Sequence, residues 1–265
     1  DEETGVIEQF EGFHGLKELD LEYFRRKYGE VNAQKFDQVV KAEHCCNPDF
    51  DPDKNNYKVL KQPDVVMLMA LFPEKYSQAV QKANYEEYDP RTSHGSSLSV
   101  GIHSLVAARI GKTDDAYRYF LEAGGIDIND GMGNAANGIH AATLGATWQA
   151  LVKGFGGMHL MESGLSIKPN LPDNWNAFSF NVQWHGQKLN VRTEKDVNGQ
   201  EKMTITVSGE NAGNVPVNLQ QSDVTMLTPG NTYTAIKTDG FWKWESLARW
   251  DSSVINLFAE KLGLS

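Results

Sequence analysis

The spacing of apolar and polar positions changes once along this chain, near Gly154. Before that point hydrophobic residues recur three and four apart, the spacing of helices with one face packed. EKYSQAVQKANYEEY follows Pro73 and carries apolar or aromatic positions at helical spacing. An apolar helical pattern, LSVGIHSLVAARIG, stops at Gly111, a natural C-terminal end. TDDAYRYFLEAGG opens on a capping Thr113 and stops at Gly124-Gly125. NGIHAATLGATWQALVKGFGG predicts a further helix, rich in small residues and so able to pack closely. Pro63 opens the apolar PDVVMLMALF, whereas the first residues, DEETGVIEQFEGFHGL, read as loop. Helices joined by short polar turns predict stacked helical hairpins, and a toroid or barrel is one way to close them.

Beyond Gly154 the period falls to two. GMHLMESGLSIKPNLP predicts short strands around a turn at Glu162-Ser163-Gly164. FSFNVQWHGQKLNVRTEK alternates across a turn at His185-Gly186, and EKMTITVSGE alternates after Val197-Asn198-Gly199. The reading is a mainly α protein with a β module: helices over 1–153, a small antiparallel sheet domain over 154–228, and a tail over 229–265. Within that tail only SSVINLFAEKLG reads as an element, a short helix.

Composition narrows the function classes. The 265 residues are 40% hydrophobic, enough to bury a core. A net charge of -10 argues against nucleic acid and against an anionic membrane surface. No apolar run approaches the ~20 residues of a membrane span. The two cysteines, Cys45 and Cys46, are adjacent, which excludes a disulfide framework. With only His44 beside them, no metal site is expected. A cytoplasmic location is expected; a native N-terminus is not visible, which leaves a secreted or periplasmic form open.

Candidate chemistry starts with TSHGSSLS, residues 92–99, which packs five hydroxyls, one imidazole and one glycine against a helix start. A helix start has unpaired N–H groups and the positive end of the dipole. One hydroxyl suffices as a cap, so the surplus suits an anion such as phosphate, and Gly95 lets a ligand approach the backbone. Lys61-Gln62, ahead of Pro63, are of the type that grips sugar hydroxyls or phosphate, although exposed lysines are common. His140 stands at the start of a small-residue helix, where a structural histidine is the ordinary reading; His103, mid-helix, reads as structural. Glu86, Glu87, Asp89, Asp127 and Asp130 are the carboxylates to weigh for glycoside chemistry, but their spacing singles out none and each reads as a solvated surface acid. Glu8 and Glu11 lie near aromatics. Phe10, Phe13 and Trp148 are candidates for a sugar-facing surface, with core packing the ordinary role of Trp148.

Several segments taken together resemble one family. GVIEQFEGF, LKQPDVVMLMALFP, NYEEYDPRTSHGSSLSVGIHSLVAARIGKTDDAYRYFLEAG, GNAANGIHAATLGATWQALVKGFGG and LSIKPNLPDNWNAFSFNVQWHGQKLNV, in this order, resemble the C-terminal half of glycoside hydrolase family 65. That family includes maltose, trehalose, kojibiose and nigerose phosphorylases and some hydrolases. The resemblance implies part of an (α/α)6 barrel followed by a small β-sandwich-like domain. It implies an inverting attack of phosphate on an α-glucosidic bond, with a glutamic acid protonating the leaving oxygen and β-glucose 1-phosphate as product. By resemblance, Lys61 and Gln62 contact the glucose. His94, Gly95, Ser96 and Ser97 form the phosphate loop, and His140 stands near that phosphate. Inorganic phosphate is the co-substrate; no metal or other cofactor is implied, and a homodimer is. Asn137 departs from the pattern, since the family often has an acid before Gly-Ile-His. The family's catalytic glutamate lies upstream of the GVIEQFEGF match, so the proton donor is expected outside this chain, on an N-terminal partner half. A hydrolase of the same family and a non-catalytic sugar-binding module remain alternatives; Gly95 offers no carboxylate to activate water, which favours phosphate.

The chain alone is therefore expected to release no glucose 1-phosphate from α-glucosyl disaccharides. A coupled phosphorolysis assay checks this, and robust turnover would refute it.

Overall fold

The computed structural model describes residues 3–29, 33–46, 50, 51, 53–209, 213–219 and 224–245. The chain divides into two units, 1–158 and 159–265. The expected tail helix around 253–263 lies outside the described residues.

The first unit is helical: α1 Leu21–Tyr28, α2 Ala33–Cys46, α3 Asp64–Leu71, α4 Gln78–Tyr88, α5 Ser97–Arg109, α6 Thr113–Gly125 and α7 Ala141–Gln149. A π-helical turn, Ala150–Phe155, continues α7. Local chemistry sets the starts. Asp20 caps α1 by accepting from Tyr23 N at 2.8 Å, and Ser77 caps α4 by accepting from Val80 N at 3.3 Å. Asp114 and Asp115 occupy the first turn of α6, where the dipole favours anions. Thr113 itself is the first helical residue and makes no side-chain cap. The segment before α1 holds only a 3-10 turn, Phe13–Gly15, in keeping with its loop-like sequence.

Helix α5 is the axis of this unit. Every residue from Ser99 to Ala108 is buried, the condition of a helix without a solvent face. Close approach makes this feasible. A Cβ on Gly101 would sit 2.6 Å from the Ala146 Cβ of α7, and one on Gly154 would sit 3.0 Å from the Leu105 backbone. A satellite core of Leu19, Phe24, Val39, Val40 and Tyr57 ties α1 and α2 to the loop before α3.

The second unit holds nine strands: β1 Met158–Met161, β2 Gly164–Ile167, β3 Ala177–Trp184, β4 Gln187–Lys195, β5 Glu201–Ser208, β6 Val215–Asn218, β7 Val224–Leu227, β8 Thr232–Thr238 and β9 Phe241–Trp244. They form a four-stranded sheet, β1-β2-β6-β7, and a five-stranded sheet, β3-β4-β5-β8-β9. Two features differ from the sequence reading. The sheets are not wholly antiparallel, because β2 pairs β6 in parallel. Strand structure also runs past residue 228, since β8 and β9 extend the larger sheet. Both outer hairpins of that sheet turn on two consecutive left-handed residues, His185 (φ 45) with Gly186 (φ 83) and Asp239 (φ 53) with Gly240 (φ 81). That twist suits the flanking strands. Alternation in β4 and β5 buries Leu189, Val191, Met203, Ile205 and Val207 completely.

Gly101→Ala is expected to destabilise the first unit by about 1–3 kcal/mol through overpacking. The added methyl meets Ala146 at 2.6 Å, and this outweighs the ~0.5–1 kcal/mol gained by replacing a mid-helix glycine. Chemical denaturation of the two proteins measures the difference.

Candidate functional site

The five hydroxyls of residues 92–99 separate into two kinds. Thr92 Oγ1 donates to Tyr88 O (2.7 Å), and Ser93 Oγ donates to Leu60 O (3.2 Å). Ser99 Oγ is 2.9 Å from His94 Nδ1. Ser96 is the N-cap of α5, its Oγ accepting from Leu98 N at a long 3.4 Å. Ser97 alone of the five has no protein partner among the described residues. The N–H groups of Gly95, Ser96 and Ser97 are likewise untaken among those residues. Most of the surplus hydroxyls therefore hold the loop itself. What the described residues leave uncommitted is a run of N–H groups, the Ser97 hydroxyl and the Ser96 hydroxyl proton, at the positive end of α5.

The same end of the unit collects the other candidates, because three helices run the same way. Leu60 bridges Thr92 as a parallel pair, with Leu60 N donating to Arg91 O at 2.9 Å and Ser93 N to Leu60 O at 2.8 Å. At the opposite end Arg109 Nη1 of α5 donates to Ala70 O of α3 at 3.1 Å. So α3 and α5 are parallel, and Lys61-Gln62, exposed and unpartnered among the described residues, precede α3 beside the 92–97 loop. Helix α7 is parallel too. Gly101 meets Ala146, Gly154 meets Leu105 and Ala108, and Arg109 Nε donates to Lys153 O at 3.3 Å. His140 is the N-cap residue of α7, which brings it to the end where Ser96 caps α5. Helices α4 and α6 run the other way: Gln78 at the start of α4 reaches Arg109 O, and Ser104 of α5 donates to Ala116 O of α6.

His140 is held by Asp127, which follows α6. Asp127 Oδ1 lies 2.5 Å from His140 Nδ1, and Asp127 Oδ2 accepts from the His140 N–H at 2.9 Å. The hydrogen bonds from the His140 ring and backbone hold the Asp127 carboxyl below its ordinary range. Both carboxylate oxygens are used, so ring and backbone are fixed together and Nε2 is the ring nitrogen left to meet a ligand. Asn137, where an acid was expected from the resemblance, ends an exposed 3-10 turn, Ala135–Asn137.

His94 differs in kind from its neighbours. Its backbone is left-handed (φ 49) and its ring points inward. Nδ1 is 2.9 Å from Ser99 Oγ and Nε2 is 3.0 Å from Tyr119 OH. Burial, with His103 and Arg25 nearby, pushes its pKa well below the ordinary value, so the ring is neutral. Tyr119 OH donates to Asp89 Oδ1 (2.8 Å), and His103 Nδ1 lies 2.8 Å from the same oxygen. Burial alone would raise the Asp89 carboxyl, but the bonds from His103 and Tyr119 hold it down at about 2. The ligand atoms of Asp89, His94 and His103 lie within 4.8 Å of one another, and hydrogen bonds inside the cluster already use most of them.

Several sequence readings change. Asp89 and Asp127 are not solvated surface acids: each is partly buried and paired with a histidine. Their separation from His103 and His140, 14 and 13 residues, hid this, because a pairing across helices has no short-range period. Trp148 is 53% exposed, not core; its small-residue helix gave no sign of which face was covered. Phe10 is exposed, while Phe13 is buried against it and Tyr88. Gln9 Oε1 accepts from Val65 N at 3.2 Å, which brings the GVIEQFEGF segment to the start of α3. Glu8 accepts from His14 N and Asp130 from Ala135 N, both local turns. His44 directs Nδ1 to the Phe50 carbonyl, and Cys45 is a free, exposed thiol. Arg25 was not singled out by its sequence, yet its guanidinium donates to Thr92 O at 2.6 Å and ties α1 to the loop.

A helical unit that gathers a lysine, an amide, a free serine and a carboxylate-held histidine around aligned helix N-termini has the makings of a site for a polyhydroxyl ligand beside an anion. Comparison with known proteins identifies the class. Residues 1–149 match the glycosyl hydrolase family 65 central catalytic domain, and residues 158–226 match the C-terminal domain of that family. The chain belongs to glycosyl hydrolase family 65. It is 36% identical over 196 residues to a kojibiose phosphorylase of Halothermothrix orenii, covering 74% of this chain and 23% of that protein. It is 46% identical over 140 residues to an alpha,alpha-trehalose phosphorylase of Thermoanaerobacter brockii, covering 53% of this chain and 18% of that protein. A solved structure of a kojibiose phosphorylase candidate from the human microbiome superposes with a TM-score of 0.72 at 30% identity, over 90% of this chain and 32% of that one. The chain thus spans roughly a quarter of the length of such relatives. No described helix is long and apolar enough to cross a membrane.

Asp89 gives a pH prediction. Its folded pKa lies below its unfolded one, so its contribution is complete above pH ~4 and is lost as pH falls towards 2. The shift corresponds to about 2 kcal/mol. Asp89→Asn is expected to flatten the acid limb of stability between those values, measured by urea unfolding across the range.

Proposed function

We propose that this chain is the C-terminal portion of an inverting α-glucoside phosphorylase. One observation carries the reading: Lys61-Gln62, the 95–97 loop and His140 lie at the same end of three parallel helices, α3, α5 and α7, each at an N-terminus. Aligned N-termini favour an anion, and relatives named as phosphorylases support phosphate as that anion. Lys61 and Gln62 hold the hydroxyls of the glucose. The N–H groups of Gly95, Ser96 and Ser97, the Ser97 hydroxyl and His140 Nε2 hold phosphate. The inward His94 ring serves the loop from beneath. A phosphate oxygen bonds to the anomeric carbon as the bond to the glycosidic oxygen breaks, and a glutamic acid outside this chain protonates that leaving oxygen. The product is β-glucose 1-phosphate, and phosphate, already a nucleophile, needs no protein base.

The architecture that goes with this reading is part of an (α/α)6 barrel, with the alternating directions of α3 to α7 as its support. The two sheets are read as a β-sandwich-like domain. An upstream half carrying the acid, and a second copy of the whole, are the expected partners.

The test is an assay on this chain joined to an upstream half of the family type, with and without inorganic phosphate. Phosphate-dependent glucose 1-phosphate release is expected, and free glucose without phosphate would mean a hydrolase. Within that protein, Ser97→Ala is expected to raise the KM for phosphate roughly tenfold, about 1.4 kcal/mol, with the KM for disaccharide little changed. Lys61→Ala is expected to do the reverse.

A further inference from the structure

The phosphate reading leaves unexplained why polar groups are buried beneath the loop. Tyr119, His103 and Ser99 are buried almost completely, and their side chains belong to one connected set with Asp89 and His94. Apolar residues of similar volume would fill such a space without the desolvation cost. The set also has a direction. Asp89 is ionised and accepts, so Tyr119 donates its only proton to it. The Tyr119 oxygen can then only accept from His94, which places the ring proton on Nε2. His94 Nδ1 is left bare and accepts from the Ser99 hydroxyl. Each group has one role, so the ring has one orientation.

That orientation matters because His94 stands at φ 49, a region that non-glycine residues occupy only when their surroundings hold them there. The next three residues are Gly95, Ser96 and Ser97, whose N–H groups are untaken among the described residues. We infer that Tyr119, backed by Asp89, is a positioning residue for the anion seat: it holds the His94 ring so that the backbone of 95–97 presents its N–H groups in one fixed array. Neither residue touches the ligand. The inference rests on the phosphate reading and adds the device that shapes the site.

The test measures binding of inorganic phosphate to the 265-residue chain by calorimetry, together with amide hydrogen exchange. Tyr119→Phe removes one oxygen, leaves the ring and strands the His94 Nε2–H. It is expected to weaken phosphate binding roughly tenfold, a change of one decade in Kd. With phosphate present, which protects those N–H groups in the wild type, exchange at Gly95–Ser97 is expected to rise in the variant while exchange at Leu105–Ala108 in the same helix stays constant. A purely structural role would raise both. Ser99→Ala releases the other ring nitrogen and is expected to act in the same way, so the inference can be read should Tyr119→Phe fail to fold. Wild-type phosphate affinity in both variants would overturn the inference and leave the phosphate reading intact. No phosphate binding by the wild-type chain would overturn both.

Discussion

The helical unit depends on burying α5 from all sides. A helix with no solvent face must let its neighbours come close, and α5 does so at Gly101 against Ala146 and beneath Gly154. Contacts that tight fix the direction and register of α7 relative to α5. Arg109 does the corresponding work at the other end, donating to main-chain carbonyls of α3 and of the π-helical turn. With direction fixed at both ends, the N-termini of α3, α5 and α7 have no alternative but to share one end, and the positive ends of their dipoles lie together there.

Function at that end depends on which polar groups the fold consumes. Of five hydroxyls in residues 92–99, four are spent holding the loop to Tyr88, Leu60, Leu98 and His94. The histidines divide differently. His94 is bonded through both ring nitrogens and His103 through Nδ1 alone, both around Asp89, whereas His140 is bonded through Nδ1 to Asp127. A donor already given to the protein is not free for a ligand, although Ser96, which only accepts, keeps its hydroxyl proton. The groups left over, Ser97, the loop N–H groups, His140 Nε2 and Lys61-Gln62, are those to which the proposal gives the sugar and the phosphate.

Much of the helix-then-strand order was legible. Apolar periodicity located α3 to α7, and turn chemistry located the β3–β4 hairpin at His185-Gly186. The β8–β9 hairpin was missed: Asp239-Gly240 is a strong turn signal, but the polar residues around it masked the alternation of Tyr233 and Ala235. The parallel pairing of β2 with β6 was not legible, because strand period says nothing about which strand lies alongside.

The sequence by itself determined roughly where α3 to α7 lie, where the period changes, and which stretches were candidates to bind a sugar and an anion. Those properties follow from short-range sterics, capping and spacing, and each is written within a few residues. Only the tertiary structure decided that Asp127 pairs with His140, that Asp89 is a partly buried acid held by His103 and Tyr119, and that Trp148 faces outward. Those outcomes depend on helices packed across distances of ten residues or more. A hydrogen bond or a covered face between helices depends on their relative direction and register, and local patterns carry neither.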